Sequence, residues 1–199
     1  MQVPTALPSP SLIDYADVAK VADVSPIPTM VYNFPKVTAG IDLDSETIAA
    51  LGAHPNIVGT KLSCGHLGKV IRLATSLPAD SFGAFIGHSD CFLPALTVSC
   101  PGGFMALANV APRAHRALWD AWHTGRMDDA RDIQRILAHC DAITSKYGGI
   151  GFIKAFIAHE FGYGGLTVRG PLARATVDKL SVDDAAQLKE LITLEKSLP

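Results

Sequence analysis

Short apolar runs rich in β-branched or small residues alternate along this chain with longer stretches whose apolar positions recur at helical spacing. Residues 12–23 place Ile13, Ala16, Val18, Ala19 and Ala22 largely on one helical face, and Pro26 and Pro28 end that element. Strands are predicted at 29–33, 57–61, 82–86 and, from a run of small residues, 103–108. Between and after them the pattern predicts helices at 45–53, with Asp44 or Ser45 as cap, and at 67–76, 91–98 and 112–123. Pro112 suits the first turn of the last of these. Four βα units at roughly 25-residue spacing predict a parallel sheet, because parallel neighbours need crossover helices.

The remainder reads as helical. Ile133, Ile136, Leu137, Cys140 and Ile143 share one face of a helix over 128–146, a second helix covers 150–160, and Ser181 with Asp184 resembles a capping box opening the last one. The expected organisation is a unit of four βα repeats at 1–125 followed by a helical extension at 126–199. Four strands pose a physical problem, since a parallel sheet needs both faces covered and a closed barrel uses eight strands and about 250 residues. The sheet is therefore expected to stay open, to be completed by a second chain, or to belong to a fragment.

Composition narrows the class. With 199 residues, 48% of them apolar and 18% charged, the chain can bury a sizeable core. A formal net charge of −2 without a basic cluster argues against nucleic acid as partner, and no stretch approaches the about 18–20 apolar residues of a membrane helix. Residues 1–11 are uncharged and carry Pro4, Pro8 and Pro10, unlike a secretory or organellar leader. Cys64, Cys91, Cys100 and Cys140 lack a metal-binding or disulfide spacing, which fits reduced thiols in a cytoplasmic protein. The seven histidines contain no HExxH and no pair at i, i+4, so neither a metal nor another cofactor is expected. Gly148-Gly149-Ile150-Gly151 lacks the lysine and preceding strand of a phosphate loop and reads as a turn before a helix, on which Lys154 is structural.

The candidate chemistry lies at two strand ends. Lys61 closes the run Asn56-Ile57-Val58-Gly59-Thr60-Lys61, and Tyr32, 29 residues earlier, lies near the end of the first predicted strand. A lysine in apolar surroundings gives up its proton more readily, and the neutral amine can attack a ketone to form an imine. On residue type alone, Lys61 would be a strand-end lysine reaching solvent and Tyr32 a core tyrosine.

The motifs Tyr32-Asn33-Phe34-Pro35, Gly40-Ile41-Asp42-Leu43 and His54-Pro55-Asn56-Ile57-Val58-Gly59-Thr60-Lys61, continued by Gly87-His88-Ser89-Asp90 and 102–109, resemble the dihydrodipicolinate synthase/N-acetylneuraminate lyase family. That resemblance implies the C-terminal half of a (β/α)8 barrel with C-terminal helices, the family's first four βα units having no counterpart in this sequence. It implies a class I pyruvate-dependent aldolase, with Lys61 forming the imine and Tyr32 shuttling protons, both at strand C-termini. Gly87 and Phe104 fall where the family lines its pyruvate pocket, while His88 and Ser89 are weaker candidates. The synthase branch carries an arginine shortly after the proline of its Tyr-Asn-x-Pro motif; here the stretch is Lys36-Val37-Thr38-Ala39-Gly40. The wording is closer to fungal members that cleave 2-keto-3-deoxy sugar acids of the L-threo-3-deoxy-hexulosonate type, or 4-hydroxy-2-oxoglutarate. Dihydrodipicolinate synthase-like condensation, or an impaired fragment acting as an interaction subunit, is the alternative. The implied partners are a small 2-oxo acid and either a second copy or a full-length relative.

Overall fold

Three parallel strands form the sheet, in the order β1 (Thr29–Asn33), β2 (Ile57–Leu62), β3 (Gly83–Ile86). The computed structural model describes the backbone of residues 15–199 and the side chains of 17–199, so the uncharged segment 1–11 and the start of the helix predicted at 12–23 lie outside the described residues. The described part of that helix is α1 (Tyr15–Val24). Crossovers α2 (Ser45–Leu51) and α3 (Leu67–Ser76) connect the strands, and α2 starts at Asp44, whose carboxylate accepts from the Thr47 amide.

The sheet is polarised by its alternation. Val31 and Asn33 of β1 are buried while Met30 and Tyr32 are exposed, so the helices cover one face and leave the other open. Two asparagines of the sequence motifs secure this edge. Asn33 donates to Asp42 at 2.7 Å and accepts from the Leu43 amide at 3.1 Å, folding the loop after β1 back onto the strand. Asn56 donates to the carbonyls of Ala22 and Ser25 and so fastens the end of α1.

The predicted fourth strand does not form. Gly103 makes one parallel bridge to Ile86, after which Ala106–Asn109 turn as a 3-10 helix that buries Leu107. The segment is made of alanine, leucine and asparagine, none of them a strong strand former, and with no neighbour beyond it among the described residues a strand there would expose a full edge. The helix predicted at 91–98 is likewise shorter: a 3-10 turn at Ser89–Cys91 runs into α4 (Phe92–Leu96).

The remaining helices are α5 (Pro112–His123), α6 (Met127–Lys146), α7 (Ile150–Phe161) and α8 (Val182–Ser197). Helix α6 packs on α5, on α8 and on the turn after β3, so it is the beam between the sheet and the C-terminal helices. The buried carboxylate of Glu195 in α8 accepts from the amides of Arg113 at 3.1 Å and Ala114 at 2.8 Å, capping α5 from another helix. Ser181 caps α8 through the Asp184 amide, as its capping-box pattern predicts.

Candidate active site

Lys61 and Tyr32 meet because the register makes them meet. In the parallel ladder Tyr32 of β1 stands opposite Lys61 of β2, and residues paired in this way project to the same face. The Lys61 Nζ donates to the Tyr32 Oη at 3.2 Å and lies 4.3 Å from the centre of its ring. Both side chains leave the C-terminal ends of their strands into a cleft of about 820 Å³. The cleft is lined by Phe34, Lys36, Ser63, Gly87, His88 and Phe104, by Asp141 and Thr144 of α6, and by Gly148 to Ile150 at the start of α7.

The expected apolar enclosure of the amine is not what the structure has. Lys61 is half-buried and Tyr32 is 49% exposed, because no element lies over the inner face of β1 among the described residues. The side toward β3 and α6 is the closed one.

Of the other sequence candidates, Gly87 and Phe104 both reach the cleft. Phe104 stacks obliquely on Phe85, ring centres 4.9 Å apart, and its amide donates to the Ile86 carbonyl, so it forms an apolar wall that stays open to the cleft. Gly87 has a steric reason to be glycine. A Cβ there would collide with Ser63 Oγ and stand 2.8 Å from the Leu62 carbonyl oxygen. Gly87→Ala is therefore expected to push Ser63 and the end of β2 aside and to lower stability by about 1–3 kcal/mol, the range for overpacking. A urea titration beside the parent protein measures this, and an unchanged midpoint would refute it. Ser89 is fully buried and engaged with His115 at 2.9 Å, which keeps it out of the cleft.

Sequence reasoning gave no role to Ser63 and Asp141. Ser63 follows Lys61 by two positions, hence on the same face, and its hydroxyl lies 3.5 Å from Tyr32 Oη. Asp141 is a buried carboxylate on α6 whose Oδ2 stands 3.2 Å from His88 Nδ1. Its signal was an acid four residues after Leu137, inside an otherwise apolar stripe. That carboxylate holds the His88 imidazolium above the ordinary histidine pKa, against burial, which pulls it down. His88, Asp90 and Asp141 bring potential ligand atoms within 4.8 Å of one another, but both ring nitrogens of His88 already bond within the protein.

Parallel strands joined by helices, with a cleft at the strand C-termini, fit a segment of a (β/α)8 barrel. The chain belongs to the dihydrodipicolinate synthetase family, whose model matches residues 7–192. It is 38% identical over 178 residues to a probable mitochondrial 4-hydroxy-2-oxoglutarate aldolase of Emericella nidulans, covering 89% of this chain and 56% of that protein. It is 34% identical over 207 residues to an L-threo-3-deoxy-hexylosonate aldolase of Aspergillus niger, covering 93% and 61%. Among solved structures, a putative dihydrodipicolinate synthase of Thermus thermophilus superposes with a TM-score of 0.78 at 30% identity, over 90% of this chain and 60% of that one. A putative family protein of Coccidioides immitis gives 0.77 at 29%, over 93% and 61%. The fold is thus the C-terminal half of the barrel with its C-terminal helices, and the chain spans about three fifths of the length of these relatives.

Proposed function

We propose that this chain carries the Schiff-base chemistry of a class I aldolase that releases pyruvate from a 2-keto-3-deoxy acid or 4-hydroxy-2-oxoglutarate. The observation that carries the reading is the 3.2 Å contact between Lys61 Nζ and Tyr32 Oη inside the cleft. Lys61 attacks the C2 ketone and, with loss of water, forms an imine whose protonated form is an electron sink. Tyr32 passes its own phenolic proton to water and, as phenolate, takes the proton of the substrate's C4 hydroxyl as the C3–C4 bond breaks and C4 leaves as an aldehyde. The electron pair of that bond becomes an enamine, C3 is then protonated, and hydrolysis frees pyruvate and Lys61. Gly87 and Phe104 shape the wall that receives the three-carbon part. The cationic side chain of Lys36 on the cleft favours a carboxylate-bearing ligand over a neutral one. Similarity to proteins named as aldolases supports a lyase over a synthase, as does the lack of arginine in 36–40.

Borohydride reduction in the presence of pyruvate is expected to leave a covalent adduct on Lys61, located by peptide mass spectrometry. An unlabelled chain, or a label on another lysine, would overturn the assignment.

A second reading has one observation in its favour. Met30 and Tyr32 stand exposed on the inner face of the sheet, which suits a subunit that works only against a second copy or a longer relative. An adduct formed in such a complex, and not by the chain alone, would select it. No helix among the described residues is long and apolar enough to cross a membrane. The cytoplasm is our proposed compartment on the strength of the free cysteines, although the Emericella relative is named mitochondrial.

A further inference from the structure

The closed side of the cleft holds a chain of contacts that the aldolase chemistry above does not use. His88 follows Gly87 at the exit of β3, and its ring stands in the cleft wall. Its Nδ1 lies 3.2 Å from Asp141 Oδ2 on α6, and its Nε2 lies 3.2 Å from the Ser63 carbonyl oxygen after β2. Both partners can only accept: a backbone carbonyl has no proton, and an ionised carboxylate has none. Neutral imidazole carries a single N–H and satisfies one of them, whereas imidazolium satisfies both. Ser63 in turn points its hydroxyl at Tyr32 Oη, 3.5 Å away, and Tyr32 receives Lys61.

We propose that the His88–Asp141 pair is a positioning device for the proton-transfer tyrosine. As an imidazolium, His88 ties the buried carboxylate of α6 to the Ser63 carbonyl and thereby holds the Ser63 hydroxyl on Tyr32. The role assigned to Tyr32 rests on the proposed function; the clamp itself does not. Among the described residues, His88 is the side chain that faces the Asp141 carboxylate with a charge of opposite sign. The other titratable groups around it are Asp90, on the turn after β3, His115, on α5, and the thiols of Cys91 and Cys140, which burial pushes up to about 12 and so keeps neutral. His115 is kept toward its neutral form by burial and accepts from Ser89, so it does not compete for Asp141. The glycine before His88 completes the device, since a Cβ at Gly87 would occupy the place of Ser63 Oγ.

The sign of the pH effect follows from the direction of the shift. His88 has its affinity for the proton raised by Asp141, so the clamp is fully formed below the ordinary histidine pKa of about 6.5 and is released as pH rises through the elevated folded value. In protein labelled with ¹⁵N-histidine and ¹³Cζ-tyrosine, the His88 midpoint is expected to lie above 6.5, and the Tyr32 signal is expected to follow the His88 titration. Asp141→Asn should bring that midpoint down toward the ordinary value. His88→Gln and Ser63→Ala should each leave a Tyr32 signal that no longer follows such a midpoint. A Tyr32 signal flat across the His88 titration in the parent protein, or a His88 midpoint at or below the ordinary value, overturns the clamp. With 2-oxo acid turnover as readout, His88→Gln should lower kcat by up to about 10²-fold with KM near the parent value, the loss expected from misplacing a reacting group. A parent protein that forms no pyruvate adduct sinks the aldolase reading and leaves the two NMR titrations to decide the clamp.

Discussion

Tyr32→Phe is expected to lower turnover by about 10²–10⁴-fold, the usual contribution of a positioned acid–base group, while pyruvate remains trappable on Lys61. The two effects separate because the two residues serve different steps. Imine formation needs the Lys61 amine, and pyruvate can reach it from the open side of the cleft. Cleavage of C3–C4 needs a base at the C4 oxygen, and in the described structure Tyr32 Oη is the oxygen nearest to hand, 3.2 Å from the amine. The phenyl ring preserves the contact that Lys61 makes with the aromatic face, 4.3 Å from its centre, so the lysine is not set free by the change. Steady-state pyruvate release and borohydride trapping, run on the same preparation, check both halves. Equal turnover in parent and variant would remove Tyr32 from the chemistry. Loss of trapping would make it a support for Lys61 instead.

Elements bounded by strong local signals were legible from sequence. Strand β1 sits between Pro28 and Pro35 and occupies the predicted span, as do α3 and α5, the latter opening with Pro112. The Tyr32–Lys61 pair was legible for a different reason. Parallel pairing of consecutive strands fixes which residues lie side by side, and the motif resemblance supplied the register that periodicity could not. What failed has physical causes. The run 103–108 is apolar but lacks β-branched residues, so period and hydrophobicity could not distinguish a strand from the helical turn that forms. Burial of Lys61 was inferred from its own strand, yet exposure depends on what covers the opposite edge of the sheet, which a local pattern does not encode. The contact between His88 and Asp141 spans 53 residues and joins a strand exit to the middle of a helix, beyond the reach of any spacing rule.

The same reasoning about partnered charges gives the largest expected effect on stability, and it falls on the loop that follows Tyr32. Lys69 of α3 is 3% exposed, and its ammonium bonds Asp42 and the Leu43 carbonyl. Asp42 also accepts from Asn33, so one carboxylate joins α3, the end of β1 and the returning loop. Burial pushes the Asp42 carboxyl up, but the bonds from Lys69 and Asn33 outweigh it and hold its pKa below the ordinary value. Asp42→Ala would leave a buried ammonium with one carbonyl partner. The cost is expected at about 3 kcal/mol, the low end for breaking a buried pair, because the Asp42 side chain is 43% exposed and water reaches that side. Lys69→Met should cost less, since it removes the buried charge and leaves a carboxylate that solvent can reach. The sign of the pH dependence is fixed as well. A depressed folded pKa stabilises the protein above the unfolded carboxyl value of about 3.9, and that contribution fades as pH falls through the folded value. Urea midpoints of the parent and both variants at neutral pH, and again in acid, measure all three expectations. Asp42→Ala should lag the parent most at neutral pH and approach it in acid, and a gap that stayed constant with pH would show that Asp42 acts through packing instead of through its charge.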